Sequence, residues 1–286
     1  EAANGWNWST GLVQHGFEVH TITRNLNREG VEKHGPVPGL TVHYLELPFG
    51  LERLYCFSQA TMYLYYILWQ WMAYRLAKKL NKLLGFHRIH HVSWGSIQLG
   101  SYLYRLNVPF IFGPVGGGQH APEAFKEYFL QHWSAEEKRK KVSRLLLKYN
   151  PGCRRMLKRA HAVLVSNQDT QKIAESAGAK NVSSMLDAAL PDTFFPPGFI
   201  EHFPSIDKIK LLWVGRFLPR KGILLTLEVM QMLKPYPGIT LTIVGDGPMR
   251  GAAELKAKEL GLQDQVTFVG SVSFAEVRDY YANHDL

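Results

Sequence analysis

Short apolar runs alternate with longer stretches of helical period along most of this 286-residue chain. Residues 2–14 read as a helix, Gly16 as the glycine that ends it, and residues 17–22 as a strand of alternating character. Further strands are predicted at 40–45, 89–93, 108–112, 162–165 and 182–186, with helices at 52–84, 97–106, 122–132, 135–148 and 168–176. After a run crowded with Pro191, Pro196, Pro197, Gly198 and Pro204, the alternation resumes. Strands are predicted at 209–214, 239–244 and 265–269, helices at 223–233, 249–260 and 274–282, and Asp285 and Leu286 begin another strand. Strands alternating with helices imply an α/β fold with parallel sheets covered on both faces.

The proline-rich run at 190–205 reads as a linker, dividing the chain into domains 1–200 and 201–286. No strand precedes the helix at 2–14, and only three βα units follow the linker. The first domain is therefore expected to lack its first strand and the second to be incomplete, with an open sheet edge.

The 21 residues 54–74 carry no formal charge and are long enough to span a bilayer. Ser58, Gln59, Thr61 and Gln70 interrupt them, and Tyr63, Tyr65, Tyr66, Trp69 and Trp71 fill their middle, where a spanning helix would be aliphatic. A long buried or half-buried helix is expected, with contact at a membrane surface as the second reading.

A hydrophobic content of 46% suffices for one large core or two ordinary ones, and disorder is excluded as the default. A formal net charge of +9 favours an anionic partner: a nucleotide diphosphate, an anionic lipid or a nucleic acid. No helix-turn-helix or aromatic RNA-binding signature appears, so nucleic acid is not expected. Cys56 and Cys153 stand far apart with no Cys/His spacing, which argues against a disulfide framework or zinc site and for a reducing cytoplasm. His87, His90 and His91 lack an acidic partner at ligand spacing and are expected to be exposed turn and strand histidines. Residues 136–141 read as a solvated helix face.

The candidate chemistry gathers at the predicted strand ends. Strand 209–214 runs into Gly215, with Arg216 and Lys221 five residues apart, and strand 239–244 into Gly245, Asp246, Gly247 and Pro248. Open α/β sheets bind ligands at their carboxyl edges. A guanidinium fork and a compact ammonium there suit a diphosphate. The second turn lacks the third glycine of a dinucleotide fingerprint, since Arg250 stands in that place, so it reads as a tight turn feeding a helix whose first amides face an anion. A third glycine-rich run, Gly116, Gly117 and Gly118 with His120 beyond it, is a candidate loop for close backbone approach to a sugar or phosphate.

Val214, Gly215, Arg216, Pro219, Lys221 and Gly222, then Ile243 through Pro248, then Val266, Phe268 and Gly270 ahead of Tyr280 to Asp285, together resemble the donor domain of retaining glycosyltransferases of family 4. His15 to Val19, Ser166 and Asn167 with Asp169 and Thr170, and Phe194 to Pro196 are similar to the same family's pattern. The resemblance implies the GT-B fold, two Rossmann-like domains whose parallel sheets face a cleft. It implies that Arg216 and Lys221 act on the diphosphate of a nucleotide sugar, with Gly215, Gly245, Asp246, Gly247, Pro248, Phe268 and Gly270 binding the donor. Neither metal nor cofactor is required in that scheme; the acceptor is a glycan or a lipid-linked sugar, and peripheral contact with the inner face of a membrane is compatible with it.

This chain departs from the family in two places. Residues 108–112 are followed by Gly113 and Pro114 where a histidine often stands, so the loop 116–118 with His120 is assigned to the active cleft instead. The family's paired glutamates would fall past Leu286, and the chain alone is expected to be inactive. The alternatives are a GT-B sugar epimerase or phosphorylase, and a basic non-catalytic module binding membrane or nucleic acid.

Overall fold

Parallel pairing joins the strands throughout the computed structural model, which describes residues 2–187 and 208–286. The linker expected at 190–205 lies outside the described residues. Among them, contacts define two units, residues 2–119 with 140–187 and residues 120–139 with 208–286.

The first unit opens with α1 (Ala2–Gln14), β1 (Val19–Arg24), α2 (Arg28–Glu32) and β2 (Leu40–Leu45). Strands β1 and β2 pair in register from Val19 opposite Leu40 to Arg24 opposite Leu45. Then come α3 (Leu54–Phe57), α4 (Gln59–Leu84), β3 (Ile89–His91), β4 (Phe110–Val115), α5 (Trp133–Tyr149, of which only residues 140–149 fall in this unit), α6 (Pro151–Arg159), β5 (Ala162–Val165), α7 (Gln168–Ser176) and β6 (Val182–Ser184). Strands β3, β4, β5 and β6 lie in that order in one sheet. Phe110, Phe112, Val115, Val163 and Val165 from its strands meet Met156 and Leu157 of α6 and Ile97 in a closed core. Each such side chain withdrawn from water contributes about 1.5–3 kcal/mol.

Three elements differ from the predicted pattern. The helix expected over 52–84 breaks at Ser58, whose backbone is extended. Its hydroxyl accepts from the Thr61 amide while Thr61 answers the Ser58 amide, a capping box that starts α4 afresh. The helix expected at 97–106 is reduced to one 3₁₀ turn, Leu103–Arg105, because the backbone before it is engaged elsewhere. Gly116 donates to the Gly95 carbonyl, and Ile97 donates to that of Gly116. Helix α6 falls where the pattern predicts no helix, although Asn150 caps the Cys153 amide and Pro151 opens the first turn, both ordinary start signals.

The second unit holds β7 (Ile209–Val214), α8 (Ile223–Met232), β8 (Ile239–Val244), α9 (Arg250–Glu259), β9 (Val266–Gly270) and α10 (Phe274–Ala282). Its sheet runs β7-β8-β9, so each βα unit sets its strand beside the last. Phe217, Ile223, Leu227, Met230, Ile243, Met249 and Ala253 close the core between sheet and helices. The exposed edge of β7 is met by the chain's last two residues, as the Leu212 amide donates to Leu286 and the Asp285 amide to Lys210.

Residues 120–139 also pack in this unit. The 3₁₀ segment Glu123–His132, kinked at Leu130, brings Tyr128 against the core, where its hydroxyl donates to Glu228 at 2.6 Å. Nor is 136–141 simply a solvated face. The Glu136 side chain is buried, accepts from the Ala121 amide and pairs with Arg139 through both oxygens. That pairing holds its carboxyl below the usual range.

Candidate functional site

Three neighbouring strands of the second unit each end in a glycine: Gly215 after β7, Gly245 after β8 and Gly270 closing β9. Backbone bonds tie the three together. The Gly215 amide donates to Val244 and the Gly245 amide to Gly270, which continues the ladder past the strand ends. Phe217 then donates to Asp246 and accepts from Met249, fastening the first turn to the second.

Glycine is required at two of these places. A Cβ at Gly245 would sit 1.9 Å from the Gly215 carbonyl oxygen at a φ of +132°, and one at Gly247 would sit 2.9 Å from that of Phe217 at +151°. The turns nest because neither carries a side chain.

Arg216 and Lys221 are both exposed beside this nest, and neither has an ion-pair partner among the described residues. Lys221 closes a 3₁₀ turn, Pro219–Lys221, that leads through left-handed Gly222 into α8. No side chain caps the first turn of α8, so its leading amides are open to an anion. Two free cations and a helix start thus lie at the carboxyl edge of one parallel sheet, an arrangement suited to phosphate oxygens.

The remaining donor residues divide between turn and core. Asp246 is exposed; one carboxylate oxygen accepts from the Gly247 amide at 2.6 Å, and the other lies 3.4 Å from Arg250. Arg250 also binds Glu254, and its guanidinium lies close to Gly270, where a Cβ would come 3.3 Å from it. Pro248 is exposed in the turn. Phe268 faces inward and packs with Phe217 on the core, leaving backbone at the edge.

The glycine run of the first unit is built for close contact. Gly117 is left-handed and its carbonyl accepts from Gln98 at 2.5 Å, while the Gly118 amide donates to Thr170. A Cβ at Gly118 would sit 2.7 Å from the Thr170 amide, and one at Gly116 3.1 Å from the Ser166 hydroxyl. Asn167 caps α7 by accepting from the Thr170 amide and hydroxyl, so one cap positions the loop. Gln98, which also donates to Ser143, left no sequence signal, because a lone glutamine has no pattern. His120 belongs to the second unit, near Glu136, and not to the unit that holds the loop.

The histidines depart from expectation. His87 is exposed, but His90 is half-buried with its Nε2 at 2.6 Å from the Gly113 carbonyl, and His91 is buried against Phe112. Burial pushes the His91 imidazole down to about 4 and His90 below its ordinary value. Among the described residues no group of three or more His, Cys, Asp or Glu could hold a metal ion, and both cysteines are free thiols.

The family model for glycosyl transferases group 1 matches residues 199–286. Among curated proteins, a phosphatidylinositol N-acetylglucosaminyltransferase subunit from Arabidopsis thaliana is 32% identical over 95 residues, covering 33% of this chain and 21% of that protein. Its Homo sapiens counterpart is 29% identical over 122 residues, covering 42% and 24%. The match thus spans less than a quarter of either relative. Among solved structures, a sucrose-phosphate synthase from Thermosynechococcus elongatus aligns with 98% of this chain and 66% of its own at 20% identity and a TM-score of 0.57. A glycosyltransferase from Rickettsia africae aligns with the same shares at 14% identity and 0.53. At such identities the likeness is one of fold, the GT-B type that the motif order implies. The nested glycine turns with Arg216 and Lys221 therefore lie within residues 199–286, the stretch of this chain that the glycosyl transferases group 1 model matches.

Proposed function

We propose that this chain is part of an enzyme that moves a sugar from a nucleotide-diphosphate sugar to an acceptor hydroxyl with retention of anomeric configuration. One observation carries the reading: two exposed cations without acidic partners among the described residues flank nested glycine turns at a single sheet edge. Charge develops on the diphosphate as it departs, and preorganised cations stabilise it there. Arg216 supplies the fork and Lys221 the point charge, so no metal is called for in this reading. Retention rests on the family resemblance, in which the acceptor attacks from the face that the nucleotide leaves. A cytoplasmic location belongs to the same reading and is supported by the two free thiols.

The curated relatives are named for N-acetylglucosaminyl transfer to phosphatidylinositol. A nucleotide-activated N-acetylhexosamine and an inositol phospholipid are accordingly the first donor and acceptor to try. Calorimetric titration of uridine and guanosine diphosphates onto this chain tests the site itself. Arg216→Ala and Lys221→Ala should each weaken binding at least tenfold, since a hydrogen bond to a charged group is worth about 1.5–3 kcal/mol, and a chelator should leave affinity unchanged. Equal affinity in both variants and the parent would refute the proposal.

A further inference from the structure

The exposed side of α4 is written in two halves. Leu64, Ile67, Trp71, Arg75, Lys78 and Lys82 follow one another at intervals of three or four residues, so they form a single line along the helix. Leu64, Ile67 and Trp71 are 48%, 47% and 49% exposed, although each would be at home in a core. The opposite side holds Tyr65, Tyr66, Gln70, Ala73 and Ala77, all buried, so the fold has already used the inward face. Phe57, just before α4 begins, is also exposed.

The line changes chemistry at Trp71. Before it the side chains are apolar; after it they are basic, and the Arg75 guanidinium lies 4.8 Å from the centre of the Trp71 ring. About 10 Å of helix axis carries each half, at 1.5 Å per residue. No Asp or Glu occurs between Glu52 and Glu123, so nothing on α4 offsets these cations. Among the described residues no helix is long and apolar enough to cross a membrane.

We propose that this stripe seats the first unit on the surface of an anionic lipid bilayer. Leu64 and Ile67 enter the headgroup–acyl boundary, Trp71 takes the interfacial level that its amphipathic ring prefers, and Arg75, Lys78 and Lys82 meet lipid phosphates. A helix that is apolar at one end and basic at the other lies tilted, its first half deeper. The inference uses none of the residues at the second unit's sheet edge and stands or falls apart from the transferase reading.

Flotation with phosphatidylcholine vesicles, with and without phosphatidylserine, tests it. The intact chain should float only with the anionic vesicles and should be released by added salt. Lys78→Gln with Lys82→Gln should weaken partition about 30-fold, since each cation near such a surface is worth about 1 kcal/mol. Leu64→Ser with Trp71→Ser should abolish flotation, and both double variants should keep the parent's melting temperature. Equal flotation on neutral vesicles, or full flotation by the basic double variant, overturns the proposal. So does a chain that ignores vesicles but is a dimer which Leu64→Ser with Trp71→Ser makes monomeric, for the stripe is then a protein interface. Salt-sensitive RNA binding lost in the basic double variant, without flotation, would overturn it too and assign the stripe to nucleic acid.

Discussion

Gly245 shows how little room a single position can leave. Its backbone is left-handed and a methyl group would overlap the Gly215 carbonyl, so Gly245→Ala should destabilise the second unit by more than about 3 kcal/mol, read from urea denaturation. Gly222→Ala, at a φ of +71° but with nothing within 4 Å of the new carbon, should cost only about 1–2 kcal/mol. Both glycines are recognisable as turn residues beside an apolar strand; what distinguishes them is a neighbouring carbonyl contributed by a residue far back in the chain. Arg216 and Lys221 are legible too, because strand, turn and cation follow one another locally. Gln98 is not: its partners, Gly117 and Ser143, are distant in sequence, and contacts of that kind leave no period to read.

At the level of elements, caps account for much of the agreement and much of the error. Asn167 and the box of Ser273 with Glu276 start α7 and α10 where the helical period begins, and the predicted boundaries coincide with the observed ones. The same chemistry at Ser58 cuts a helix that hydrophobicity alone would run straight through. Thr170→Val tests the link between cap and loop. It keeps the shape of a buried side chain but removes the acceptor for the Gly118 amide, so stability should fall by about 1–3 kcal/mol, the cost of an unsatisfied buried donor. Amide exchange at Gly118 should quicken with it. A fall without faster exchange would show that Thr170 matters only to the helix.

Across the whole molecule, the described histidines held below their ordinary value all lie in the first unit. His91 is buried with its imidazole pushed to about 4, and burial also lowers His90 and His43. The unfolded chain binds a proton at its ordinary value near 6.5, which the folded His91 takes up only near 4. The stability involved is complete above about 6.5 and is lost as pH falls through that window. His91 alone should cost about 2 kcal/mol between about pH 7 and pH 5, and His91→Gln should flatten the acid limb of a urea-denaturation series. An unchanged slope would place the titration elsewhere.

Local pattern determined the α/β class, the positions of most strands and the place of Arg216 and Lys221 just past a strand end of the second unit, because strand period, turn chemistry and helix starts are all expressed within a few neighbouring residues. Tertiary structure decided the rest: that His90 and His91 turn inward, that Glu136 is buried against Arg139, and that Tyr128 reaches the core of the second unit. It also decided that the aromatic run of α4 hides Tyr65 and Tyr66 while leaving Trp71 outside. Burial depends on what arrives from elsewhere in the chain, and a linear pattern records only that a face is apolar, not which part of it will be covered.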